Sequence, residues 1–488
     1  MRRVEIDPRP NMRRLLGSQG LVFSSEPGKE PYWPDDRYYS FTSKEIELMK
    51  TAGKEVYEMC CEAAEYLVDH PDILVQKMAI PSFALDQIKE SWKRGHDWGS
   101  IYGRFDFSFG GLDHPDPRLR TPKFYEFNAD TPTSLVEGAC IQELWLRQTG
   151  HGQSQFNTLT EDLIEAWKRQ MPLIDKKLNM KDRKAKVYFA SCRQEKTGED
   201  AMTTALLNDT CQQAGWPTQS VFMDQIHFDQ DRGLCDHNGE HIDVLFKLYP
   251  YEHVAEDADA EKYFKDMGKV GGTIWIEPPY KMLWSNKALF AILWDLFKDD
   301  PRSKWLLPTY IESEKPDTLT AYARKPIFSR EGHSTTLYKD ESVIADLPSK
   351  WFGKEGYVVQ ELSMPAQFRD GRENIKYPVL GLWFVNGCPS GLGVREDASP
   401  ITSTACVYVP HSISDGPMTY DREPVPTLDE IEASMNLANY LNVSNGLSLD
   451  DYVSGNMNDG PCINVTVVRG DVGQENVEDI YKKSILCE

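Results

Sequence analysis

The sequence predicts a mixed α/β fold of the α+β kind, and three patterns support this prediction. Thr42 and Glu45 form a capping box ahead of apolar residues spaced three and four apart, which is typical of a long amphipathic helix. Strand-like and helix-like stretches then alternate from KVYFAS to IDVLFKLYP, as expected when helices cover a sheet. From about residue 320 to 410, closely spaced strand-like runs indicate a mainly antiparallel sheet.

The length of 488 residues exceeds that of a typical single domain, so two or three lobes are expected. We predict an N-terminal extension at 1–40, an α/β region with metal and substrate loops at 41–285, a nucleotide-binding region at 286–410 and an acidic extension at 411–488. The last 78 residues carry 14 acidic and 4 basic side chains. They include a helix-like stretch, TLDEIEASMNLANYL, and fit either an appended lid or a partly disordered tail.

Composition excludes several classes of function. With 54 basic and 76 acidic residues the net charge is -22, which repels nucleic acid and anionic membranes. No apolar run approaches the roughly 20 residues that cross a bilayer, and the ten cysteines contain no C-x-x-C pair. We expect a cytoplasmic protein that acts on small molecules. Walker A, G-x-G-x-x-G, H-E-x-x-H and G-x-S-x-G motifs do not occur at the positions such sites need.

Two strand-like runs carry polar residues on a common face. In SIYGRFDFSFGG, Arg104 and Asp106 alternate with apolar residues, and in KFYEFN the residues Glu126 and Asn128 do the same. If the strands pair with these faces aligned, three hard oxygen ligands meet beside an arginine. That set suits Mg²⁺, which shares its remaining positions with substrate phosphates. An ordinary solvated, salt-bridged hairpin would show the same spacing.

The loop NADTPT follows the second strand and enters a helix. Ser134 is the predicted cap, with Glu137 three residues on. Free backbone amides at this helix end would create an anion site next to the metal site. The same residues would also be found at an ordinary helix cap that binds no anion.

Seven segments, in order, resemble one protein family. They are GRFDF, YEFNADTPTSLVE, LFKLYPYE, WSNKAL, KPIFSREG, VVQEL and GLGVRED. Over about residues 11 to 410 the chain looks like the synthetase domain of the glutathionylspermidine synthase family, which includes trypanothione synthetase. The resemblance implies an ATP-grasp fold with a preceding α/β substrate-binding region. It also implies an ATP-dependent carbon–nitrogen ligase, which phosphorylates the glycine carboxylate of glutathione and transfers the acyl group to a polyamine.

The resemblance also implies a role for each matching residue. Asp106, Glu126 and Asn128 match magnesium ligands, and Arg104, Arg330 and Arg395 match arginines near the transferred phosphate. The implied nucleotide contacts, besides Arg104, are Lys287, Lys325, Gly332, Gln360, Glu361, Leu362, Ile401 and Thr402. Thr133, Ser134, Glu199 and Asp200 are the implied substrate contacts. Each of these motifs also has a simpler interpretation. Without the resemblance, the two lysines would be taken for surface residues and VVQEL for a core strand. Arg395 would be taken for a solvated hairpin residue, and Glu199 and Asp200 for acids at the start of a helix.

The chain departs from the family pattern at two points. Where bifunctional relatives carry two adjacent acids before an Asp, this chain reads KTGED, with Gly198 before Glu199. The N-terminal cysteine amidase module is not recognisable, since the synthetase motifs begin by residue 101. Two alternatives therefore stay open. The protein could be a ligase that uses a different pair of carboxylate and amine substrates, or a catalytically silent protein that binds a nucleotide or a polyamine.

Overall fold

The computed structural model describes residues 1–21, 30–95, 99–193, 195 and 198–434. Helices and strands both contribute extensively, so the predicted mixed class is confirmed. The strands are β1 (Arg2–Glu5), β2 (Arg37–Phe41), β3 (Tyr102–Ser108), β4 (Lys123–Asn128), β5 (Val187–Ser191), β6 (Thr218–Phe222), β7 (His227–Asp229), β8 (Gly233–Cys235), β9 (Val244–Lys247), β10 (Ile274–Ile276), β11 (Thr309–Ile311), β12 (Ala321–Pro326), β13 (Thr335–Lys339), β14 (Ser342–Leu347), β15 (Tyr357–Glu361), β16 (Phe368–Arg369), β17 (Ile375–Val385), β18 (Cys388–Asp397), β19 (Val407–Val409) and β20 (His411–Ile413).

The helices precede and separate these strands. Short 3-10 turns lie at Ser82–Ala84, Pro117–Arg120, Met223–Gln225, Pro301–Trp305 and Glu312–Glu314, and a π-helix spans Glu137–Ile141. The α-helices are α1 (Met12–Ser18), α2 (Ser43–Val68), α3 (Pro71–Gln76), α4 (Leu85–Lys93), α5 (Gln142–Thr149), α6 (Leu159–Lys177), α7 (Glu199–Gln213), α8 (Tyr251–Val254), α9 (Ala260–Met267), α10 (Lys281–Trp284) and α11 (Leu289–Phe297).

Helix α2 is the amphipathic helix that the sequence predicts. It begins with the predicted capping box, in which the Thr42 side chain accepts from the Glu45 backbone and Glu45 reaches back to the backbone of Thr42. Its apolar face belongs to the main core. At Gly53 the helix lies so close to β17 that an added Cβ would come within 2.4 Å of Leu382. The helix therefore supports the back of the sheet that carries the polar strands.

The α/β alternation in the middle of the chain forms a four-stranded parallel sheet in the order β10-β9-β5-β6. Its strands are mostly buried, as expected for a parallel sheet covered by helices. Helices α6 and α7 pack together, and α7 packs on β5 and β6. The start of α7 lies at the carboxyl end of β5, which is where open α/β sheets bind ligands.

The strands between 320 and 410 are antiparallel, as predicted, but they divide between two sheets. One has the order β11-β15-β12-β13-β14; the other has the order β19-β18-β17-β3-β4, with β16 at its side. In the second sheet β17 pairs with β3, which comes from the predicted 41–285 region. Sequence could not foresee this pairing because it joins strands more than 260 residues apart. The boundary at residue 285 stays a prediction.

The first strand, β1, and the last strand, β20, belong to the same three-stranded sheet, which has the order β1-β2-β20. His411 and Ser412 are fully buried there, so the first residues of the predicted acidic extension belong to the core. A helical turn is present at 428–434, within the helix predicted at 427–441, and the rest of that extension lies outside the described residues. Among the described residues, no helix is both long and apolar enough to cross a bilayer.

Candidate functional site

A cavity of about 510 Å³ opens between the two antiparallel sheets and the start of α7. Each residue that the sequence analysis singled out as a site candidate contributes to its wall. These are Arg104, Asp106, Glu126, Asn128, Thr133, Ser134, Glu199, Asp200, Lys287, Lys325, Arg330, Gly332, Gln360, Glu361, Leu362, Arg395, Ile401 and Thr402. Side chains from distant parts of the chain are therefore brought to one space, although their roles stay predictions.

Asp106 is at the centre of the first group of charges. In register across β3 and β4, Asp106 faces Glu126 and Arg104 faces Asn128, as the predicted hairpin requires. Arg104 Nε donates to Asp106 Oδ1 at 2.9 Å, and Arg395 and the Asn128 amide both donate to Oδ2. Burial alone would raise the pKa of Asp106, but the two arginines hold it below its usual value. The carboxylate is thus kept ionised.

A glycine makes room for this arrangement. Gly381 on β17 lies opposite Asp106, and a Cβ there would come within 2.8 Å of Arg104 Cδ. The arginine side chain lies across that space and donates to the Thr133 carbonyl at 2.6 Å. Arg104 therefore joins the strand-borne acids to the NADTPT loop.

The two predicted lysines approach from different elements. Lys287 precedes α11 and pairs with Glu126 at 2.7 Å, while it also donates to the Ser329 carbonyl. Lys325 on β12 donates to Gln360 Oε1 at 2.7 Å. Burial, with a smaller contribution from Lys287, lowers the pKa of Lys325 to about 8. Neither contact fits the alternative of a solvated surface lysine.

Two loops meet at Gly332. Its φ of +69° is in the region that favours glycine, and a Cβ would come within 2.5 Å of the Thr402 carbonyl and 2.7 Å of Ile401. The loop from Ser329 to Gly332 can therefore lie directly on residues 401–402. Arg330 in this loop pairs with Glu252 at 3.0 Å.

The predicted cap at Ser134 is wrong in its geometry. Ser134 has φ +66° rather than an extended backbone, and its hydroxyl contacts the Tyr32 hydroxyl at 3.2 Å. Residues 137–141 form a π-helix before α5 continues. A π-turn at this place is consistent with a functional site, but capping patterns carry no information about it.

Acids gather where the start of α7 reaches the cavity, and we call this part of the wall the acidic end. Gly198 caps α7 with φ +86°, a conformation that an acidic residue would adopt only with strain. Glu199 and Asp200 form the first turn of α7 and also line the cavity. Their place at a helix start is therefore confirmed, and their contact with a substrate amine stays a prediction. Burial, followed by the charges of Glu195 and Glu199, raises the pKa of Asp200 to about 7.

Sequence reasoning missed a buried ion pair under the NADTPT loop. Lys247, fully buried at the end of β9, binds Asp130 at 2.7 Å, and Asp130 also accepts from the Tyr251 amide. Both residues lie within quoted motifs, NADTPT and LFKLYPYE, so a search for complementary buried charges could have found them. Tyr32 and Cys406 also line the cavity, and no sequence pattern indicates either one.

The residues fit a hard divalent cation. Among the described residues, no three His, Cys, Asp or Glu side chains could hold a metal together, so the proposed set must rely on the Asn128 amide beside two carboxylates. Asp106 and Glu126 are adjacent in register, and each is now balanced by Arg395 or Lys287. Mg²⁺ typically takes a few oxygen ligands from the protein and fills its remaining coordination positions with water and substrate phosphates.

Comparison with known proteins agrees with this geometry. The profile of the family described as "Glutathionylspermidine synthase preATP-grasp" matches residues 3–414. A Haemophilus influenzae protein, whose name marks it as a candidate acid–amine ligase, is 31% identical over 84% of this chain and 99% of its own length. The trypanothione synthetase of Crithidia fasciculata is 26% identical over 72% of this chain, and the bifunctional glutathionylspermidine synthetase/amidase of Escherichia coli is 27% identical over 76%.

The chain spans only 52% and 58% of the last two proteins. All three names describe amide-forming ligases, which confirms the predicted enzyme class. Because the family profile covers most of its length, this chain belongs to the glutathionylspermidine synthase preATP-grasp family.

Proposed function

We propose that the protein is an ATP- and Mg²⁺-dependent ligase that activates a peptide carboxylate as an acyl phosphate and transfers it to an amine. The expected carboxylate is the glycine end of glutathione, and the expected amine is a polyamine. One observation carries the proposal: Asp106, held between Arg104 and Arg395, is connected through Thr133 to the acids at the start of α7. A site for phosphate chemistry thus adjoins a site for a cation.

The nucleotide would lie between the two antiparallel sheets. Lys287 and Lys325 approach the phosphate end from different elements, and Gln360, Glu361 and Leu362 at the end of β15 line the part of the cavity where the adenine would lie. Gly332 lies directly against Ile401, so the loop from Ser329 to Gly332 would lie over the phosphates. Lys287 pairs with Glu126 and Lys325 donates to Gln360, so the phosphates of ATP would compete with these contacts.

Phosphoryl transfer needs positioned charge more than covalent chemistry. Asp106, Glu126 and Asn128 would hold Mg²⁺, which supplies neutralisation of the phosphate oxygens when it is bound. Arg104 and Arg395 would donate toward the transferred phosphate and the carboxylate that attacks it, and Arg395 Nε has no hydrogen-bond partner among the described residues. The NADTPT loop orients the carboxylate because Arg104 and the Asp130–Lys247 pair fix its backbone.

The amine would approach from the acidic end. A cationic amine is attracted by Glu199 and Asp200, whose carboxyl groups are close to the loop that would hold the acyl phosphate. Attack of the amine on the acyl carbon forms the amide and releases phosphate. Specificity for one amine over another would then depend on this end of the cavity.

The test is ADP release by the purified protein with Mg²⁺-ATP and glutathione, with and without spermidine, followed by mass detection of a conjugate. We expect spermidine-dependent ADP and a glutathione–spermidine mass. ADP release with other amines or peptides but not with this pair would leave the ligase and correct the substrates. Nucleotide binding without ADP release across a panel of carboxylates and amines would contradict the ligase.

A second candidate keeps the chemistry and changes the acceptor. Gly198 occupies the position where bifunctional relatives are expected to carry another acid, and its φ of +86° explains why glycine is stable there. With one carboxylate fewer, a shorter or less charged amine than spermidine would fit the acidic end. Comparing diamines with spermidine in the same assay distinguishes the two candidates.

A further inference from the structure

Glu137 is a buried carboxyl group directly behind the acidic end of the cavity. Its exposed fraction is 1%, and its Oε1 atom has no hydrogen-bond partner among the described residues. The carboxyl accepts from its own backbone amide and from the Tyr32 hydroxyl. Burying an ionised carboxylate without a neighbouring cation in contact is costly. Glu137 is therefore a group that gains from binding a proton.

Hydrogen-bonding groups connect Glu137 to the cavity. The Tyr32 hydroxyl bonds to the Glu137 carboxyl and lies 3.2 Å from the Ser134 hydroxyl. Tyr32 and Ser134 both line the cavity. Hydroxyl groups both donate and accept, so this chain can pass a proton from the cavity wall to the buried carboxyl.

The proposed reaction must dispose of a proton at this end. An amine arrives as an ammonium ion, and only the neutral nitrogen has a lone pair with which to attack the acyl carbon. Glu199 bonds to the Thr133 side chain, and the Thr133 carbonyl accepts from Arg104. An amine nitrogen next to Glu199 is thus separated from the phosphate arginines by a single residue.

We propose that Glu137 and Glu199 together accept the proton of the attacking amine, with Glu199 facing the nitrogen and Glu137 storing the proton through Tyr32 and Ser134. This inference rests on the proposed ligase function. The N–H bond breaks and its proton passes to the carboxylate pair; the nitrogen lone pair forms the C–N bond. The acyl C–O bond breaks, and phosphate leaves with that electron pair and takes up the second proton that the nitrogen loses on becoming an amide.

The electrostatics of the pair fit this role. Burial, followed by the charge of Glu199, raises the pKa of Glu137 to about 7. Burial also raises the pKa of Glu199, and Glu331 and Glu195 contribute. When two carboxylates interact, repulsion between like charges disfavours the state in which both are ionised, so the pair tends to hold one proton. The other titratable or charged groups that act on the pair are Tyr32, Arg104, Asp200, Cys406 and Tyr408.

The test compares two nucleophiles in Glu137→Gln, a change that keeps the shape and removes the titration. Spermidine reaches the protein protonated, whereas hydroxylamine is neutral near pH 7 and attacks acyl phosphates without a base. With glutathione and Mg²⁺-ATP at pH 7, we expect amide formation to fall about 10-fold or more. Hydroxamate formation should stay within about twofold of the wild type, and the amide rate of the variant should rise as pH increases above 7.

Two further variants make the result specific. Tyr32→Phe removes the connecting hydroxyl and should lower amide formation in the same direction while hydroxamate formation is retained. Glu143→Gln makes the same chemical change on α5, at a partly exposed carboxyl that pairs with Arg147, and should change neither rate. ATP affinity, measured by titration, should be unchanged in all three proteins.

The outcomes separate this inference from the proposed function. Equal losses of amide and hydroxamate in Glu137→Gln, or no loss of either in both Glu137→Gln and Tyr32→Phe, would overturn the proton-acceptor role. A wild-type protein that forms neither product with any carboxylate tested would instead overturn the ligase itself.

Discussion

The two ends of the cavity place carboxyl groups in opposite electrostatic surroundings. At the phosphate end, Asp106 contacts Arg104 and Arg395, and Glu126 contacts Lys287. At the amine end, Glu199 acts on both Glu137 and Asp200, and the pKa values of all three are raised chiefly by burial. The same residue type is therefore held ionised at one end and near its titration point at the other.

The difference shows how one fold can serve two chemical steps. A metal and a transferred phosphoryl group need permanent charge, which the arginines secure by lowering the pKa of Asp106. Proton exchange with an amine needs groups that titrate near neutral pH. Changes at the first end should therefore abolish activation of the carboxylate, whereas changes at the second should affect the amine alone.

The largest effect is expected from Asp106→Asn. Loss of this charge removes a metal ligand and leaves Arg104 and Arg395 unbalanced, so ADP formation should fall by about 10³ or more. The amide oxygen can still accept a hydrogen bond from an arginine, so the fold should be retained, but the loss of the buried counter-charge should lower the thermal unfolding midpoint. Unchanged ADP production in the folded variant would refute the magnesium assignment and remove the basis of the comparison.

Lys287→Met tests the nucleotide side of the same end. Lys287 would grip the phosphates once ATP displaces Glu126, so ATP affinity should fall about 10- to 100-fold, as expected for losing a charged contact. Lys298 lies at the other end of α11, where its partly exposed side chain pairs with Asp295, and Lys298→Met is the matched control. If both variants bind ATP equally well by calorimetry, Lys287 does not contact the nucleotide.

Glu199→Ala moves the test to the amine end. Removing one carboxylate should raise the KM for the amine about 10-fold while the affinity for ATP stays within about twofold. The cause is lost attraction of the cation, since Glu199 bonds to Thr133 in the loop next to which the amine would bind. An unaltered amine KM would exclude Glu199 from the amine site.

The sequence predicted local structure well where the pattern is short-range. The capping box of α2, the β3–β4 hairpin and the shared face of Arg104 and Asp106 are confirmed. It could not predict that β17 would pair with β3, because nothing local specifies a contact between such distant strands. It also took Glu137 for a capping residue, since burial by Tyr32 and Tyr408 depends on the tertiary fold. The lysines and loops of the candidate site were predicted from the resemblance to a family and not from the periodicity of the sequence.

The smallest effect is expected from the pH dependence of amine binding. Asp200 has a raised pKa of about 7, so it is neutral below that pH and charged above it. The KM for a cationic amine should therefore fall a few-fold as pH rises from 6 to 8, and Asp200→Asn should flatten this dependence. The KM for ATP should not fall in the same way, because Asp106 stays ionised throughout this range and Lys325, whose pKa is lowered to about 8, begins to lose its charge at the upper end, which would raise this KM. A parallel change in both constants would mean that the two ends titrate as one unit, which would contradict their electrostatic separation.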